Sequence, residues 1–409
     1  MDTTGTKGVK MMVKVASLFS QLLQHIPRLQ FAALVAKHKA ERASKGFACW
    51  TQLVAMLFCQ MAKADSLREI CNGLACCLGK LSHLGLKEGP KRSTLSYANE
   101  HRPASLFEDL FWSLMDHFRK HGGLGARKSK FRFKNKLFSL DSTTITLCLH
   151  LFPWASYRRN KGGVKAHVLL DHDDYMPAFV LLTDARQHDR KAASHVPLNR
   201  GSIVVMDRGY NDYGLFGSWC RRGVYFVTRL KEGAQYDPVG LNKIPKNSPV
   251  ISDSLIELSK DKAWEQCPFR LRRVVVYDTQ KNRNIELLTN HLELSSTTIG
   301  EIYRDRWEIE LLFKALKQNL KVKTFVGTSE NALRIQIWTA LIALLLLKWL
   351  HHVSRASWSL SNLASMLRLN LFTYRDLMSW LHEPFGTPPV VPDDGGPIQL
   401  SLDLGQAIA

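Results

Sequence analysis

The feature that most constrains the fold is a change of period near residue 137. From about residue 14 to 120, apolar residues recur at helical spacing in VASLFSQLLQHI, LQFAALVAKHKAER, CWTQLVAMLFCQMA and SLREICNGLACCLG, each followed by a polar or glycine-containing break. The stretch HGGLGARKSKFRFKNK, residues 121–136, is glycine-rich and then strongly basic, a linker between two regions. Beyond it LFSLDSTTITLCLHL, VKAHVLLD, PAFVLLT and SIVVMD read as strands at short intervals. NDYGLFGSWCRRG reads as a helix ending at Gly223, and VYFVTRL as a further strand. Three successive strands, then strand, helix and strand, specify a mixed α/β sheet. With 409 residues the chain exceeds what one compact core serves, so the expected fold class is multidomain α+β.

Two of those strands carry acids where a buried apolar run has no use for one. Asp141 interrupts FSLDSTTITL, and Asp207 ends IVVMDRGY at the edge where α/β sheets collect their ligands. Alone, each has an ordinary structural role: Asp141 bonding the hydroxyls after it, Asp207 capping the next loop. Asp171, Asp184 and Asp189 also follow apolar strands, but they face turns and rank lower. A metal-dependent phosphoryl-transfer site needs hard oxygen ligands converging from different elements. A third acid is therefore the next question.

YRDRWEIELLFKALKQNL, residues 303–320, supplies a candidate. At 100° per residue Tyr303, Arg306, Glu310, Lys314 and Lys317 share one sector, while Asp305 and Glu308 point elsewhere and Ile309, Leu312 and Leu316 form an apolar stripe. A salt-bridged solvent face is one account of this pattern. The other is a metal-binding carboxylate flanked by cations that hold a phosphate backbone.

Charge favours a polyanionic partner. Fifty-six Lys and Arg against 36 Asp and Glu give +20, spread along the whole length. In KRSTLSYANEHRPASLFEDLFWSL, Ser93 is placed to cap a short helix displaying Ser96, Tyr97, Asn99 and His101, bordered by Lys91, Arg92 and Arg102, which suits a DNA groove as well as an ordinary surface helix. The eight cysteines have no zinc-site spacing and read as reduced core residues, as in a cytoplasmic protein. The start MDTTGTKGVKMMVKV has no apolar block of the signal-peptide kind. Trp338–Leu350 (WTALIALLLLKWL) is too short to span a bilayer, which leaves a buried core helix and no membrane role.

The spacing Tyr, two residues, Arg, three residues, Glu, six residues, Lys at Tyr303, Arg306, Glu310 and Lys317 resembles the signature of a large group of bacterial insertion-sequence DDE transposases. Asp141 in DSTTI and Asp207 in DRGY resemble that group's two aspartate motifs, and KAHVLLD, with Lys165 and His167, its intervening stretch. The resemblance covers about residue 90 to 350.

It implies an RNase H-like mixed α/β catalytic domain at residues 130–230 and 299–355, the second part holding the glutamate helix and the buried helix. A β-rich insertion at 231–298 interrupts it, a helical DNA-binding region occupies 1–125, and C-terminal helices with a mobile Pro/Gly-rich tail fill 356–409. The resemblance implies catalytic and metal-binding roles for Asp141, Asp207 and Glu310 on two Mg2+ ions, with Mn2+ substituting. It implies DNA contacts by Tyr303, Arg306 and Lys317, with Lys314, Arg208, Lys165 and Arg229 as further candidates. The expected activity is end cleavage by metal-assisted hydrolysis followed by joining of the 3′ ends to target DNA. Expected partners are double-stranded DNA, both transposon ends and target, and a second copy in a synaptic homodimer. The expected location is the bacterial cytoplasm, at the nucleoid. Trp264, Tyr277 and Trp307 are unranked stacking partners for an extruded base. A catalytically silent DNA-binding copy and a non-transposing nuclease of the same fold are the alternatives.

Overall fold

The computed structural model describes residues 16–389 except 43, 45, 77–79, 126–129, 149, 159–160 and 323. The expectations about the N-terminal residues 1–15, Cys77 and the tail from 390 onward lie outside the described residues.

Among the described residues six α-helices precede the sheet: α1 (Leu18–Gln24), α2 (Arg28–Lys37), α3 (Cys49–Ala62), α4 (Leu67–Ala75), α5 (Arg92–His101) and α6 (Ser105–His121). Ser66 starts α4 by accepting from the Glu69 N–H, and the Glu69 carboxylate returns to the Asp65 N–H, a reciprocal cap written in the sequence. The strands follow as β1 (Leu137–Leu147), β2 (Ser156–Arg158), β3 (Lys161–Asp171) and β4 (Met176–Asp184), then α7 (Asp189–Ala193), β5 (Ile203–Met206), α8 (Tyr213–Arg222) and β6 (Tyr225–Arg229). Gly223 ends α8 in the left-handed conformation at φ 68°, as read from the sequence.

One sheet holds all the strands, in the order β4–β3–β1–β5–β6 through its first part, with the short β2 beside the start of β3. β3 runs antiparallel to both β1 and β4, and β1, β5 and β6 run parallel.

Residues 231–298 are strand-rich as expected, but they do not form a separate sheet. They contribute β7 (Tyr236–Leu241), β8 (Val250–Leu258), α9 (Asp261–Gln266), β9 (Leu271–Asp278) and β10 (Arg283–Thr289). β10 hydrogen-bonds to β6, and β9, β8 and β7 continue outward. The reason is edge chemistry: β6 would otherwise present unpaired N–H and C=O groups, and the returning chain satisfies them. A buried Arg272–Asp253 pair welds this extension to what comes next, because the Arg272 guanidinium also donates to the carbonyls of Leu292 and Leu294, just ahead of α10.

α10 (Ser296–Asp305), α11 (Trp307–Asn319), α12 (Glu330–Val353), α13 (Leu360–Leu369) and α14 (Leu377–His382) complete the described chain. α12 is longer than the apolar run suggested. It is the one helix among the described residues long and apolar enough to cross a membrane, and its apolar stretch is buried inside the protein. α3, α5 and α6 pack against it, so the N-terminal helices share one core with α11–α14 and the outer half of the β1–β3 hairpin. α1 is tied to the C-terminal segment by hydrogen bonds from Leu18 and Phe19 N–H to the carbonyls of Thr373 and Leu371. The boundary expected near residue 125 therefore separates sequence patterns and not hydrophobic cores.

Two further corrections concern side chains. Cys49, Cys59 and Cys267 are buried, but Cys76 and Cys148 are exposed, so not all the cysteines are core residues. Lys91, not Ser93, occupies the N-cap of α5, and Asn99 and Arg102 point inward: Gln52 donates to Asn99, and Arg102 donates to Gln52.

The opposite face of the sheet is sealed by α8 and α9. Gly217 of α8 lies so close to the chain after α9 that a Cβ there would come within 2.0 Å of the Gln266 carbonyl oxygen. Gly217→Ala is expected to destabilise the protein by about 1–3 kcal/mol through forced separation of α8 and α9, read as a lower first unfolding transition in a thermal melt. An unchanged melt would show that this contact is not close-packed.

Candidate active site

The parallel pairing of β1 and β5 places the first two acids. Leu140 lies opposite Met206, so Asp141 and Asp207 follow side by side on neighbouring strands. Alternation puts Leu137, Asp141, Ile203, Val205 and Asp207 on one face, and Ile299 and Ile302 of α10 pack on that face. β5 ends at Met206, so Asp207 stands at a C-terminal strand edge.

The third acid arrives from α11, and here the structure corrects the sequence reading. Tyr303 to Lys317 is not one continuous helix: the chain breaks at Arg306, between α10 and α11. No Gly or Pro lies at the break. Arg306 keeps right-handed helical backbone there, and both sides of the junction are held by tertiary bonds, Asp305 by His172 and Lys130 and Arg306 by two carboxylates. Short i→i−3 hydrogen bonds, Arg306 N–H to Tyr303 O and Ile309 N–H to Arg306 O, carry the chain through the turn.

Arg306 bridges the site. Its Nη1 donates to Asp141 Oδ2 at 3.0 Å and its Nη2 to Glu310 Oε1 at 2.8 Å, with the arginine side chain 14% exposed. The Ser142 backbone N–H donates to Asp141 Oδ1 at 2.7 Å. Even so, burial pushes the Asp141 carboxyl up to about 6, the Ser142 N–H and Arg306 opposing and the charges of Asp207 and Glu310 adding to the rise. Asp141 thus feels the charge of both other acids, and one guanidinium does not balance three carboxylates. Tyr303 stays in the group despite the break: its ring lies 5.8 Å from the Arg306 guanidinium carbon. Burial raises its phenol, and Asp207 adds to the rise.

That donor set suits a hard divalent cation: three carboxylates from two strands and a helix, with negative charge left over. Among the described residues no three His, Cys, Asp or Glu side chains already stand at ligand distance from one point, and Arg306 lies between two of the three.

The remaining candidates divide. Lys317 Nζ reaches the Thr144 carbonyl of β1 at 3.4 Å, and Lys314 is exposed. Arg208 pairs with Glu232 and lines a cleft with Arg229 and Lys231 next to the site. Lys165 does not join them. It lies on the opposite face of the sheet, where its Nζ donates to Asp189 Oδ1 at 3.0 Å with only 14% of the side chain exposed.

Sequence reasoning ranked Asp189 as a lesser competitor, yet it also accepts from Ser142 Oγ at 3.0 Å and faces His167 Nδ1 at 3.7 Å. Burial lowers His167 to about 4, so that imidazole is neutral at neutral pH. Asp171 pairs with Lys136 and Arg119, and Asp184 closes a turn, so neither enters the site. Tyr277 and Trp307 line one cleft of about 750 Å³ beside Arg306, and Trp264 is not among its walls.

The family model described as "Transposase DDE domain" matches residues 132–346, and the model described as "Domain of unknown function (DUF4372)" matches residues 14–87. The chain is 30% identical over 312 residues to a putative transposase, y4zB, of Sinorhizobium fredii, covering 75% of this chain and 84% of that protein. It is 32% identical over 237 residues to a probable transposase for insertion sequence element IS5377 of Geobacillus stearothermophilus, covering 57% of this chain and 62% of that one. Among solved structures, a piggyBac transposase synaptic complex with hairpin DNA overlaps 87% of this chain and 79% of its own at 12% identity and a TM-score of 0.43.

The raised Asp141 carboxyl generates a test. Its folded value of about 6 lies above the ordinary 3.8, so its contribution to stability is fully present only below the ordinary value and is lost as pH rises through the folded one. Without metal, Asp141→Asn is expected to stabilise the protein at about pH 8 by on the order of 1–3 kcal/mol, with the gain vanishing toward about pH 4. Melts at the two pH values check this, and a lower melting temperature for the variant at the higher pH would contradict it.

Proposed function

Because the chain belongs to the transposase DDE-domain family, we propose that it is an insertion-sequence transposase that cuts at its element's ends and joins the freed 3′ ends to target DNA. The observation that carries this is the Arg306 guanidinium bridging Asp141 and Glu310, with Asp207 following Met206 on the strand beside Asp141. The sheet, with three antiparallel strands followed by a parallel strand–helix–strand, supports an RNase H-like reading of the catalytic part.

In this reading the three carboxylates hold two magnesium ions, with manganese as a substitute. Bound there, the metal supplies activation of the attacking water or 3′ hydroxyl and stabilisation of the leaving oxygen. The protein's own part is placement. Asp141 and Asp207 are fixed by strand register, and Glu310 is delivered by α11. Arg306 balances the acids before DNA arrives and, when they take metal, is free to turn to a phosphate, for which its planar fork is suited. Tyr303 and Lys317 border the same point, and Arg208 and Arg229 extend a cationic track beside it. No covalent protein intermediate is required.

End recognition is assigned to the N-terminal helices, where Arg68, Arg92, Ser93 and Ser96 line one open concavity between α4 and α5. The Tyr277–Trp307 cleft offers two partly exposed rings to an unstacked base at the cut site. Two copies acting on two ends in a synaptic dimer, in the cytoplasm, complete the proposal.

Cleavage and joining of end DNA in magnesium should be abolished in Asp141→Ala, Asp207→Ala and Glu310→Gln, each falling at least about 10³-fold, with end binding in calcium retained. Wild-type cutting by any one of the three would remove that residue from the site. A wild type that binds ends but never cuts would favour a silent DNA-binding copy.

A further inference from the structure

Next to the carboxylates lies a buried hydrogen-bond relay that the chemistry above does not use. Ser139 precedes Asp141 by two residues on β1 and is fully buried. His172 follows β3, and its Nε2 meets Ser139 Oγ at 2.7 Å. Its Nδ1 meets Asp305 Oδ2 at 2.9 Å, and the other oxygen of Asp305 accepts from Lys130 Nζ at 2.6 Å. A carboxylate only accepts, so the Nδ1 proton of His172 points to Asp305, and in the neutral ring Nε2 accepts from the Ser139 hydroxyl. His172 and Asp305 side chains are each 6% exposed. Burial opposes the charge of Asp305, yet the bonds from His172 and Lys130 hold its carboxyl below the usual range.

The Asp–His–Ser order has the outline of a hydrolytic triad, but Ser139 is sealed from any substrate. What the relay does have is position. One end is on the strand that bears Asp141, and the other is the residue before Arg306, at the break that aims α11. Asp305 and Arg306 are neighbours held by different partners on the same face of β1, the first through His172 and Ser139 and the second by Asp141 and Glu310. No Gly or Pro lies at the junction, so these side-chain bonds are what tie it to β1. Glu310 lies one helical turn beyond it on α11.

We infer that His172 is a positioning residue: by linking Ser139 of β1 to Asp305 it holds the α10–α11 break in register with the catalytic strand and so sets Glu310 against Asp141 and Asp207. This rests on the transposase reading above, and the wild-type control separates the two. A misplacement near 1 Å in such a site costs roughly 10²-fold in rate.

The test compares His172→Ala, His172→Asn and His172→Gln in the full-length protein. Asn can place an N–H near the Nδ1 position and keep the bond to Asp305, whereas Gln reaches toward the Nε2 position and Ser139. Four quantities are read: melting temperature, affinity for end DNA in calcium, single-turnover cleavage in magnesium, and hydrogen–deuterium exchange of the peptide spanning the break. His172→Ala is expected to bind ends within about twofold of wild type, to cleave about 10–100-fold more slowly, and to exchange faster at the break. His172→Asn should recover most of the rate and protection, and His172→Gln should not. Equal rates for all three variants and wild type would overturn the inference. So would losses that track melting temperature alone, or rescue by Gln in place of Asn. A wild type that does not cleave would instead overturn the transposase reading, while exchange at the break would still report on the relay.

Discussion

The site is organised by the compensation of a buried carboxylate. Asp141 interrupts a strand whose neighbours are apolar, and the fold pays for its charge with a guanidinium placed between it and Glu310. Removing Arg306 would leave these carboxylates uncompensated, which is costly, whereas without the Asp141 charge Arg306 still pairs with Glu310. The pair is held where β1 lies beside β5, α10 packs on the same face, and Arg306 sits at the junction between α10 and α11. Much of the architecture serves that requirement. The Arg272–Asp253 pair anchors the chain entering α10, and His172 and Lys130 anchor its far end.

The two faces of the sheet do different work around the same strand. Asp141 points to the face with Arg306, while Ser142 points to the face with Asp189, Lys165 and His167. On that second face the charges satisfy each other, with a neutral His167 and a Lys165–Asp189 ion pair behind β1. Tyr210, buried after Asp207, lies between them: burial raises its phenol, and Asp189, Asp141 and Asp207 raise it further. The Lys165 ammonium is thereby engaged behind β1 by Asp189 and the Gln187 carbonyl.

Local signals made much of this legible. The period change at residue 137 located the sheet, because alternation and β-branching are written residue by residue, and Gly223 marked a helix end through its backbone freedom. Asp141 and Asp207 were visible as acids in apolar strands, and Glu310 through its shared sector with cations. The illegible parts depend on tertiary pulls. The break at Arg306 has no Gly or Pro to announce it, and the pairing of Lys165 with Asp189 joins residues on two elements. The continuity of residues 231–298 with the main sheet follows from the need to cover the β6 edge, which no local pattern records. Likewise the N-terminal helices read as a separate unit, although α12 is the core they share with the rest.

The proposed function requires Asp141, Asp207 and Glu310 to form one cation site, with Arg306 bridging two of the three acids. The most direct measurement is manganese binding to the protein on end DNA, followed by electron paramagnetic resonance, in the wild type and in Asp141→Asn, Asp207→Asn and Glu310→Gln. The account predicts binding by the wild type that weakens at least about tenfold in each variant, since every carboxylate contributes ligand charge. Undiminished manganese binding in any of the three would show that its carboxylate is not a ligand and would contradict a shared site.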